Sequence, residues 1–369
     1  MVAAASAPAG KIGVVLPYRE TFSLLKSGAL ALSCRDFAHY SRFRDQIAIL
    51  GAADCEYPDV RYWRLVDWRR WWLRGRVAYA RAVARAAREA GFSALEIQNR
   101  PHMIGRLSRL LPGVKLALHL QNDPQEMEGS RAFAERAALL RRLEAVYCCS
   151  DYVRRRFLEG LADEAGKAIV VYNGIATDPA PTAKEPIFAF VGRVIPVKGV
   201  VELVKAFALA AERAPQWRLV IAGDDSAGLL AGPRAAVAAE REALGGRLTL
   251  MGQVSHAEAM ALYARAEIAV VPSLWQEPFG RSAIEAMANG CALIATPVGG
   301  LAEIAADAGE LVDARDISAF AATLARVASD ERLRRELQEK ARAKVKSTFD
   351  IRRTTAVLDA ARVRLLGAA

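Results

Sequence analysis

Several features are missing from this chain of 369 residues, and each absence excludes or disfavours a class of protein. No apolar run approaches the ~20 residues that a transmembrane helix needs, so we expect a soluble protein. No G-x-x-x-x-G-K-S/T sequence occurs, which disfavours a P-loop NTPase. We therefore expect neither a membrane span nor a P-loop NTPase. The adjacent aspartates of GDDS (223–226) are a pattern that can attract a divalent ion.

Cysteine is scarce, and its pattern indicates a reducing compartment. The five cysteines are odd in number and have no metal-ligand spacing. The first ten residues, MVAAASAPAG, lack the basic region and hydrophobic core of a signal peptide, so we interpret them as an unstructured start. Both observations favour a cytoplasmic protein.

What the chain has is excess positive charge, and this excess is uneven. The net charge is +10; residues 1–180 hold 27 Lys and Arg against 19 Asp and Glu, which is +8 and leaves +2 for the remainder. Such a half could attract nucleic acid, yet no recognised nucleic-acid module and no RNP-like aromatic strand is present. We expect no nucleic-acid partner.

The basic half contains one segment with a distinctive composition. Residues 61–88 hold four of the six tryptophans, Trp63, Trp68, Trp71 and Trp72, among nine arginines. Interfacial tryptophans with cationic neighbours suit an anionic membrane surface, which would make the protein peripheral on the inner face of the plasma membrane. A core-facing helix with solvated arginines explains the pattern equally well.

Short apolar strands alternate with helical segments in two series of six, a pattern typical of α/β proteins with parallel sheets. Residues 173–186, rich in Pro and Ala, predict a hinge between two domains, 1–178 and 179–349. The final basic helix, about 331–366, is expected to cap the second domain and then cross back, so that the last helical part, about 350–369, packs onto the first domain. We predict these strands: 11–17, 47–50, 94–98, 115–121, 145–150, 168–172, 187–191, 218–223, 248–252, 268–273, 292–296 and 309–313.

The most informative segment is AVVPSLWQEPFGRSAIEAMANG (269–290), in which a strand runs into a loop that opens a helix near Phe279. Glu277 and Glu285 are eight residues apart, about two helical turns. Between them, Pro278, Phe279, Gly280, Arg281 and Ser282 would form a helix N-terminus whose free N–H groups suit an anion. Carboxylates accept hydrogen bonds from sugar and ribose hydroxyls, so the segment predicts a site for a phosphorylated ligand.

This Glu-x7-Glu segment resembles the signature of retaining glycosyltransferases with the B-type fold, of glycosyltransferase family four, also called glycosyl transferases group one. FAFVGRVIPVKGVVELVKAF (188–207), YNGI (172–175), RLVIAGDD (218–225), LTLMGQVS (248–255) and TPVGGLAEI (296–304) follow in the family's order. The resemblance implies two Rossmann-like doubly wound domains facing a cleft. It also implies a nucleotide-sugar donor and no cofactor or metal.

Within that resemblance, residues that follow strands become candidates for the donor site. Gly192, Arg193 and Lys198 look like the diphosphate-binding turn, in which the two cations neutralise the leaving group. Gly252, Gln253 and Val254 fit the place where related enzymes hold the nucleobase, although a plain strand-to-helix turn explains them too. Glu277 is assigned to the sugar hydroxyls and Glu285 to the ribose.

The first domain supplies fewer candidates. Gly28 resembles the glycine of a loop that approaches donor phosphates. Related enzymes often carry a histidine near the transferred sugar at the end of the strand 115–121. Here Gln121 is the positional counterpart and His119 lies one pleat earlier, so either could contact the sugar. A lone histidine at a strand end is more often structural. Asn99, Arg100 and His102 are candidates for the acceptor side.

The sequence therefore predicts a retaining hexosyl- or N-acetylhexosaminyltransferase acting on a glycan or lipid-linked acceptor, in bacterial-type polysaccharide or lipopolysaccharide synthesis. A nucleotide-sugar epimerase or a phosphorylase on the same fold is the alternative enzyme. A non-enzymatic, basic membrane-binding protein is the alternative from another class.

Overall fold

The computed structural model describes residues 10–23, 28–65, 75–163, 166–177, 182–231 and 236–366. The chain divides into two compact units, one formed by Met1–Gly174 with Ile351–Ala369 and the other by Ile175–Asp350. The sequence placed these boundaries after residues 178 and 349. Residues 1–9 of the predicted unstructured start and residues 178–181 of the predicted hinge lie outside the described part of the chain.

The first unit is built on a parallel sheet of seven strands in the order β3-β2-β1-β4-β5-β6-β7. Its strands are β1 (Lys11–Val15), β2 (Ile47–Gly51), β3 (Tyr62–Arg64), β4 (Phe92–Gln98), β5 (Lys115–Leu120), β6 (Ala145–Cys148) and β7 (Ala168–Val170). Its helices are α1 (Ala29–His39), α2 (Gly75–Ala90), α3 (Ile104–Leu110), α4 (Phe133–Arg142), α5 (Asp151–Leu158) and, from the end of the chain, α13 (Ile351–Leu366).

The second unit is a parallel sheet of six strands in the order β10-β9-β8-β11-β12-β13. Its strands are β8 (Glu185–Val191), β9 (Arg218–Ala222), β10 (Leu248–Gly252), β11 (Ala266–Val271), β12 (Ala292–Ala295) and β13 (Gly309–Leu311). Its helices are α6 (Val200–Ala210), α7 (Ala238–Leu244), α8 (His256–Arg265), α9 (Arg281–Ala288), α10 (Gly299–Ala305), α11 (Ile317–Ser329) and α12 (Glu331–Lys344).

Both cores form because apolar strands are covered by the apolar faces of helices. In the first unit, α1 and α13 supply Phe37, Leu358 and Leu365 to a core that includes Ile12 and Ile49 of the sheet. In the second, the fully buried Trp217 ring lies 4.9 Å from Phe188, within a core shared with α6 and α11.

All twelve predicted strands are present, and the predicted fold class of two Rossmann-like units is confirmed. Two predictions about local structure were wrong. Residues 62–64 form an additional edge strand, β3, because Tyr62 and Trp63 pair with Ile49 and Leu50. The stretch 331–366 is not one helix: α12 passes into a π-helical turn, Val345–Phe349, before α13 begins.

The segment around the tryptophan cluster is only partly described. Trp68, Trp71 and Trp72 lie outside the described residues, and Trp63 is partly exposed on β3. Among the described helices, none combines the length and the apolar character needed to cross a bilayer.

Candidate active site

The second unit has a topological switch point between β8 and β11. These neighbouring strands are followed by connections that leave in opposite directions, to β9 on one side and to β12 on the other. In open parallel sheets, ligands bind outside the carboxyl ends of the strands at such a point. The two loops that meet there are 192–199 and 272–280, which contain the predicted residues Arg193, Lys198 and Glu277.

Glu277 is the centre of a small polar cluster. Its carboxylate is only 6% exposed, and Oε1 accepts hydrogen bonds from Lys198 Nζ and from Ser273 Oγ, the latter at 2.6 Å. No residue in the described ranges donates to Oε2. The geometry therefore fixes the carboxylate through one oxygen and leaves the other for a ligand hydroxyl.

Two glycines in left-handed conformations hold the loop that carries Glu277. A Cβ on Gly199 (φ 67°) would lie 1.9 Å from the carbonyl oxygen of Pro272. A Cβ on Gly299 (φ 53°) would lie 2.2 Å from the carbonyl oxygen of Glu277. Only glycine permits both the backbone angle and these approaches. The neighbouring Gly300 N–H donates to the Glu277 carbonyl at 2.7 Å, so the loop is fixed by backbone contacts.

Lys198 and Arg193 differ in their surroundings. The Lys198 ammonium lies 5.5 Å from the centre of the Trp275 ring, a cation–π contact, and is partly buried. Arg193 is exposed and has no ion pair within the described residues. Trp275 Nε1 is buried and has no hydrogen-bond partner among the residues that the structure describes. Lys198 is therefore fixed in place, whereas Arg193 is free to meet an anion.

The helix that follows the loop begins two residues later than predicted. Gly280 (φ 115°) is its N-cap, and α9 starts at Arg281 rather than near Phe279. Phe279 is 4% exposed and its ring packs 5.9 Å from that of Phe349, so its side chain belongs to the core, and Pro278 is also buried. Ser282, in the first turn, hydrogen-bonds with the side chain of Tyr263.

Glu285 is buried on α9 between two nitrogen-bearing side chains. Its Oε1 accepts a hydrogen bond from Arg281 Nε at 2.8 Å and lies 3.1 Å from His256 Nε2. Burial opposes ionisation, but hydrogen bonding to His256 and the charge of Arg281 outweigh it, so the pKa of Glu285 lies below its ordinary value. The carboxylate is charged at neutral pH. Arg281 thus holds Glu285 in this structure.

His256 is a site residue that our sequence reasoning missed. It is the first residue of α8, where Ser255 and Glu258 form a capping box. That capping pattern is visible in the sequence directly after Val254, and it would have placed His256 at a helix start beside the predicted nucleobase region. Its partner Glu285, 29 residues away, was not visible in this way.

Three glycines line up at the carboxyl ends of β8, β9 and β10. Gly192 N–H donates to Ala222 O at 3.0 Å, and Gly223 N–H donates to Gly252 O at 2.8 Å. A Cβ on Gly223 would lie 1.8 Å from the oxygen of Gly192. The three strand ends therefore approach each other closely through glycine backbone, which leaves N–H and C=O groups rather than side chains at these three positions. Beyond it, Gln253 is exposed and Val254 packs on the core.

Of the two adjacent aspartates, Asp225 has a structural role. Both oxygens of Asp225 accept backbone N–H groups, from Leu229 at 2.7 Å and from Leu230 and Ala231 at 3.0 and 2.9 Å. A carboxylate used in this way organises the loop after β9. No group of three potential metal ligands occurs among the described residues.

In the first unit, three amides meet at the carboxyl ends of its strands. Gln121 and Asn173 exchange hydrogen bonds at 3.1 and 2.8 Å, and Gln121 N–H donates to Asn99 Oδ1 at 2.8 Å. Asn99 has φ 53°, a conformation that non-glycine residues rarely adopt and that often marks functional sites. Gln121 is half-buried and remains the candidate for contact with a sugar.

The assignment of His119 to the sugar needs correction. His119 is 3% exposed, its Nε2 lies 3.3 Å from Glu96 Oε2, and its ring packs edge-on against Tyr147 at 4.5 Å. Glu96 is completely buried and makes two hydrogen bonds of 2.8 Å with Arg362 of α13. His119 therefore belongs to a buried polar network inside the unit.

The other predicted residues of the first unit lie near its surface. Arg100 is half-buried, and one of its N–H groups donates to Asn99 O at 2.7 Å. Gly28 is the N-cap of α1, where a Cβ would lie 3.2 Å from Glu20 Oε1. His102 follows β4 and lines a cavity.

The two doubly wound sheets define the class of fold, the B-type fold. Residues 176–344, which form most of the second unit, match the sequence model of the family described as "Glycosyl transferases group 1", and this match confirms the predicted resemblance.

Similar proteins agree with this match. The YtcC protein of Bacillus subtilis is 25% identical over an alignment of 299 residues that covers 73% of this chain and 72% of that protein. The D-inositol 3-phosphate glycosyltransferase of Mycolicibacterium smegmatis is 36% identical over 161 residues. That match covers 43% of this chain and about a third (35%) of the relative.

Solved structures confirm the fold. Sucrose-phosphate synthase of Thermosynechococcus elongatus aligns with a TM-score of 0.75 and 21% identity, over 98% of this chain and 100% of that one. Anabaena HepE, solved in complex with UDP and glucose, aligns with the same TM-score and 19% identity, over 98% and 100% of the two chains.

Proposed function

We propose that the protein is a retaining glycosyltransferase that moves a hexosyl or N-acetylhexosaminyl group from a nucleoside-diphosphate sugar to a glycan or a lipid-linked acceptor. The observation that carries this proposal is the cluster of Glu277, Lys198 and Ser273 at the switch point of the second unit. It combines a fixed carboxylate for sugar hydroxyls with a fixed cation for phosphate, which are the two chemical features of a nucleotide sugar.

In the proposed reaction, the bond between the anomeric carbon and the diphosphate oxygen breaks, and negative charge develops on that oxygen. Lys198, Arg193 and the N-terminus of α9 stabilise this charge, which is the largest effect available to the site. The acceptor oxygen forms its bond on the same face of the sugar, and its proton passes to the leaving phosphate. Glu277 Oε2 orients the sugar hydroxyls, and Glu285 accepts from the ribose.

Related proteins support the donor class. Anabaena HepE was solved with UDP-glucose, at 19% identity to this chain, and the mycobacterial relatives are named as glycosyltransferases. We extend the proposal to transfer without a metal ion, since cations and a helix N-terminus neutralise the diphosphate. A part in polysaccharide or lipopolysaccharide synthesis, at a membrane surface inside the cell, completes it.

Substitution of the two cations tests the donor site. A thermal-shift screen with UDP-, GDP- and ADP-sugars first identifies the donor, since a ligand at 100 times its Kd stabilises by about 2.7 kcal/mol. Lys198→Ala and Arg193→Ala should then each slow release of sugar from that donor by roughly 10²- to 10³-fold. Lys205→Ala, on α6 seven residues after Lys198, is the matched control. Rates near wild type in both site variants would contradict the assignment.

A further inference from the structure

The first unit also has a topological switch point, between β1 and β4, and a cavity lies beside it. The order β3-β2-β1-β4-β5 sends the chain to opposite sides after these two strands. The cavity has a volume of about 820 Å³ and is lined by residues that follow β1 and β4, together with the start of α2. Its place in the sheet is where an α/β unit binds a ligand.

The charged residues in the cavity wall are mostly cationic. Arg19, Arg76 and Arg106 line it, and Glu128 is the one carboxylate among the described residues of the wall. Arg76 is ion-paired with Glu128. Arg19 and Arg106 are exposed and have no ion pair within the described residues; the Arg19 guanidinium lies over the Tyr18 ring at 5.4 Å. Two guanidinium groups are thus available to an anion.

His102 adds a neutral hydrogen-bonding group to the same wall. Burial lowers its pKa; Glu128 opposes this shift, and the charges of Arg76 and Arg100 reinforce it. The backbone of His102 packs directly against Gly129 (φ 88°). A Cβ on residue 129 would lie 2.6 Å from the backbone nitrogen of His102, so only glycine permits this contact. A neutral imidazole beside arginines can accept a proton or donate one to a phosphate oxygen or a hydroxyl.

We infer that this cavity binds a phosphate group carried by the acceptor substrate, held by Arg19 and Arg106. Arginine forks match the geometry of phosphate oxygens, and a dianion would offset the uncompensated charge of the wall. The inference rests on the proposed function and names the chemical class of its acceptor. The phosphate could belong to a soluble sugar phosphate or to a lipid-linked carrier, and the wall also contains the apolar Val77, Ala80 and Met103.

Calorimetry with phenyl phosphate, at constant ionic strength, tests the cavity without requiring catalysis. Arg19→Ala and Arg106→Ala should each weaken binding by at least about tenfold, the effect of one lost charge-assisted hydrogen bond. Glu128→Gln should tighten binding, because it removes a carboxylate from the wall and frees Arg76. A folding defect would weaken the binding of phenyl phosphate, so tighter binding by this variant is not explained by misfolding. Arg109→Ala and Arg81→Ala, exposed on α3 and α2, are matched controls and should bind like the wild type.

Two further arms separate this inference from the donor site and identify the source of the phosphate. Arg193→Ala changes the other unit, so this variant should still bind phenyl phosphate in the cavity of the first unit. The affinity of the same variant for a nucleoside diphosphate tests the proposed function alone. Dihexanoyl phosphatidate binding more tightly than phenyl phosphate would indicate a lipid-linked acceptor, and equal binding a soluble one. Both results support the inference. Absence of a phosphate site that depends on Arg19 and Arg106 would overturn it, as would equal losses in the control variants.

Discussion

Replacing Arg362 with methionine should lower the free energy of unfolding of the first unit by about 3–5 kcal/mol at pH 7. Arg362 is 1% exposed, makes two hydrogen bonds of 2.8 Å with Glu96, and donates to Asp359 at 3.1 Å. Methionine has a similar shape, so the cavity term is small. The cost arises because Glu96, also fully buried, is left as an uncompensated charge. This prediction tests the network that contains His119.

The pH dependence gives the effect a signature. In the wild-type protein burial raises the pKa of Glu96, but the charge and hydrogen bonds of Arg362 outweigh burial and hold the pKa well below its ordinary range. The stabilisation that ionised Glu96 provides is thus complete above the pKa that Glu96 has in the unfolded chain. It is lost as the pH falls towards the lower pKa that Glu96 has in the folded protein. Without Arg362, burial dominates and raises the pKa of Glu96. In the variant, protonation of Glu96 then removes the buried charge. The difference in free energy of unfolding between the variant and the wild type should therefore shrink as the pH falls from 7 to 5.

Hydrogen exchange of β4, β5 and α13 is the appropriate assay, because it follows the first unit separately from the second. Arg364→Met, on an exposed position of the same helix, should change stability by less than about 0.5 kcal/mol. The double variant Glu96→Gln with Arg362→Met should recover part of the loss. A loss below about 1 kcal/mol, or one that is independent of pH, would refute the reasoning.

Three further predictions concern the two glutamates of the second unit, the metal-free reaction and the basic first half of the chain. Glu285→Gln should weaken binding of the free nucleoside diphosphate at least several-fold, whereas Glu277→Gln should spare it and slow transfer; calorimetry beside a rate assay would show a reversed pattern if the two roles are exchanged. Transfer should continue in EDTA, and a loss that Mn²⁺ restores would contradict the metal-free proposal. The protein should sediment with anionic but not neutral vesicles and be released by salt, and equal behaviour with both would count against a membrane surface.

The strands could be predicted because burial on both faces leaves a continuous apolar run in the sequence. LAL (116–118) of β5 and IAVV (268–271) of β11 are such runs. The edge strand β3 has only three residues, and two of them are exposed, so it carries no apolar signal. α9 begins later than predicted because its N-cap is Gly280, which has φ 115°. No residue type that precedes Gly280 indicates this backbone angle in the sequence.

The partners of charged side chains could not be predicted, since pairing depends on the fold. Alternation along β5 places His119 on a face, but it does not say what covers that face. Arg362 approaches Glu96 across 266 residues of sequence, and Lys198 approaches Glu277 across 79. The contact between Arg362 and Glu96 lies inside a core, and the contact between Lys198 and Glu277 lies beyond the carboxyl ends of β8 and β11. The same residue types therefore give a structural network in one unit and a candidate site in the other.

The difference between these two clusters lies in what the backbone around them permits. Glu96 is in the middle of a central strand, where burial forces its oxygens onto protein donors. Glu277 is on a loop that Gly199 and Gly299 bring to the end of β11, and it retains one oxygen without a protein donor in the described ranges. Both carboxylates are buried and paired, but only Glu277 lies at a switch point, where a ligand can reach its second oxygen. Charge alone therefore does not separate the site from the structural network in this chain, whereas the close passage of Gly199 and Gly299 beside the Glu277 loop does.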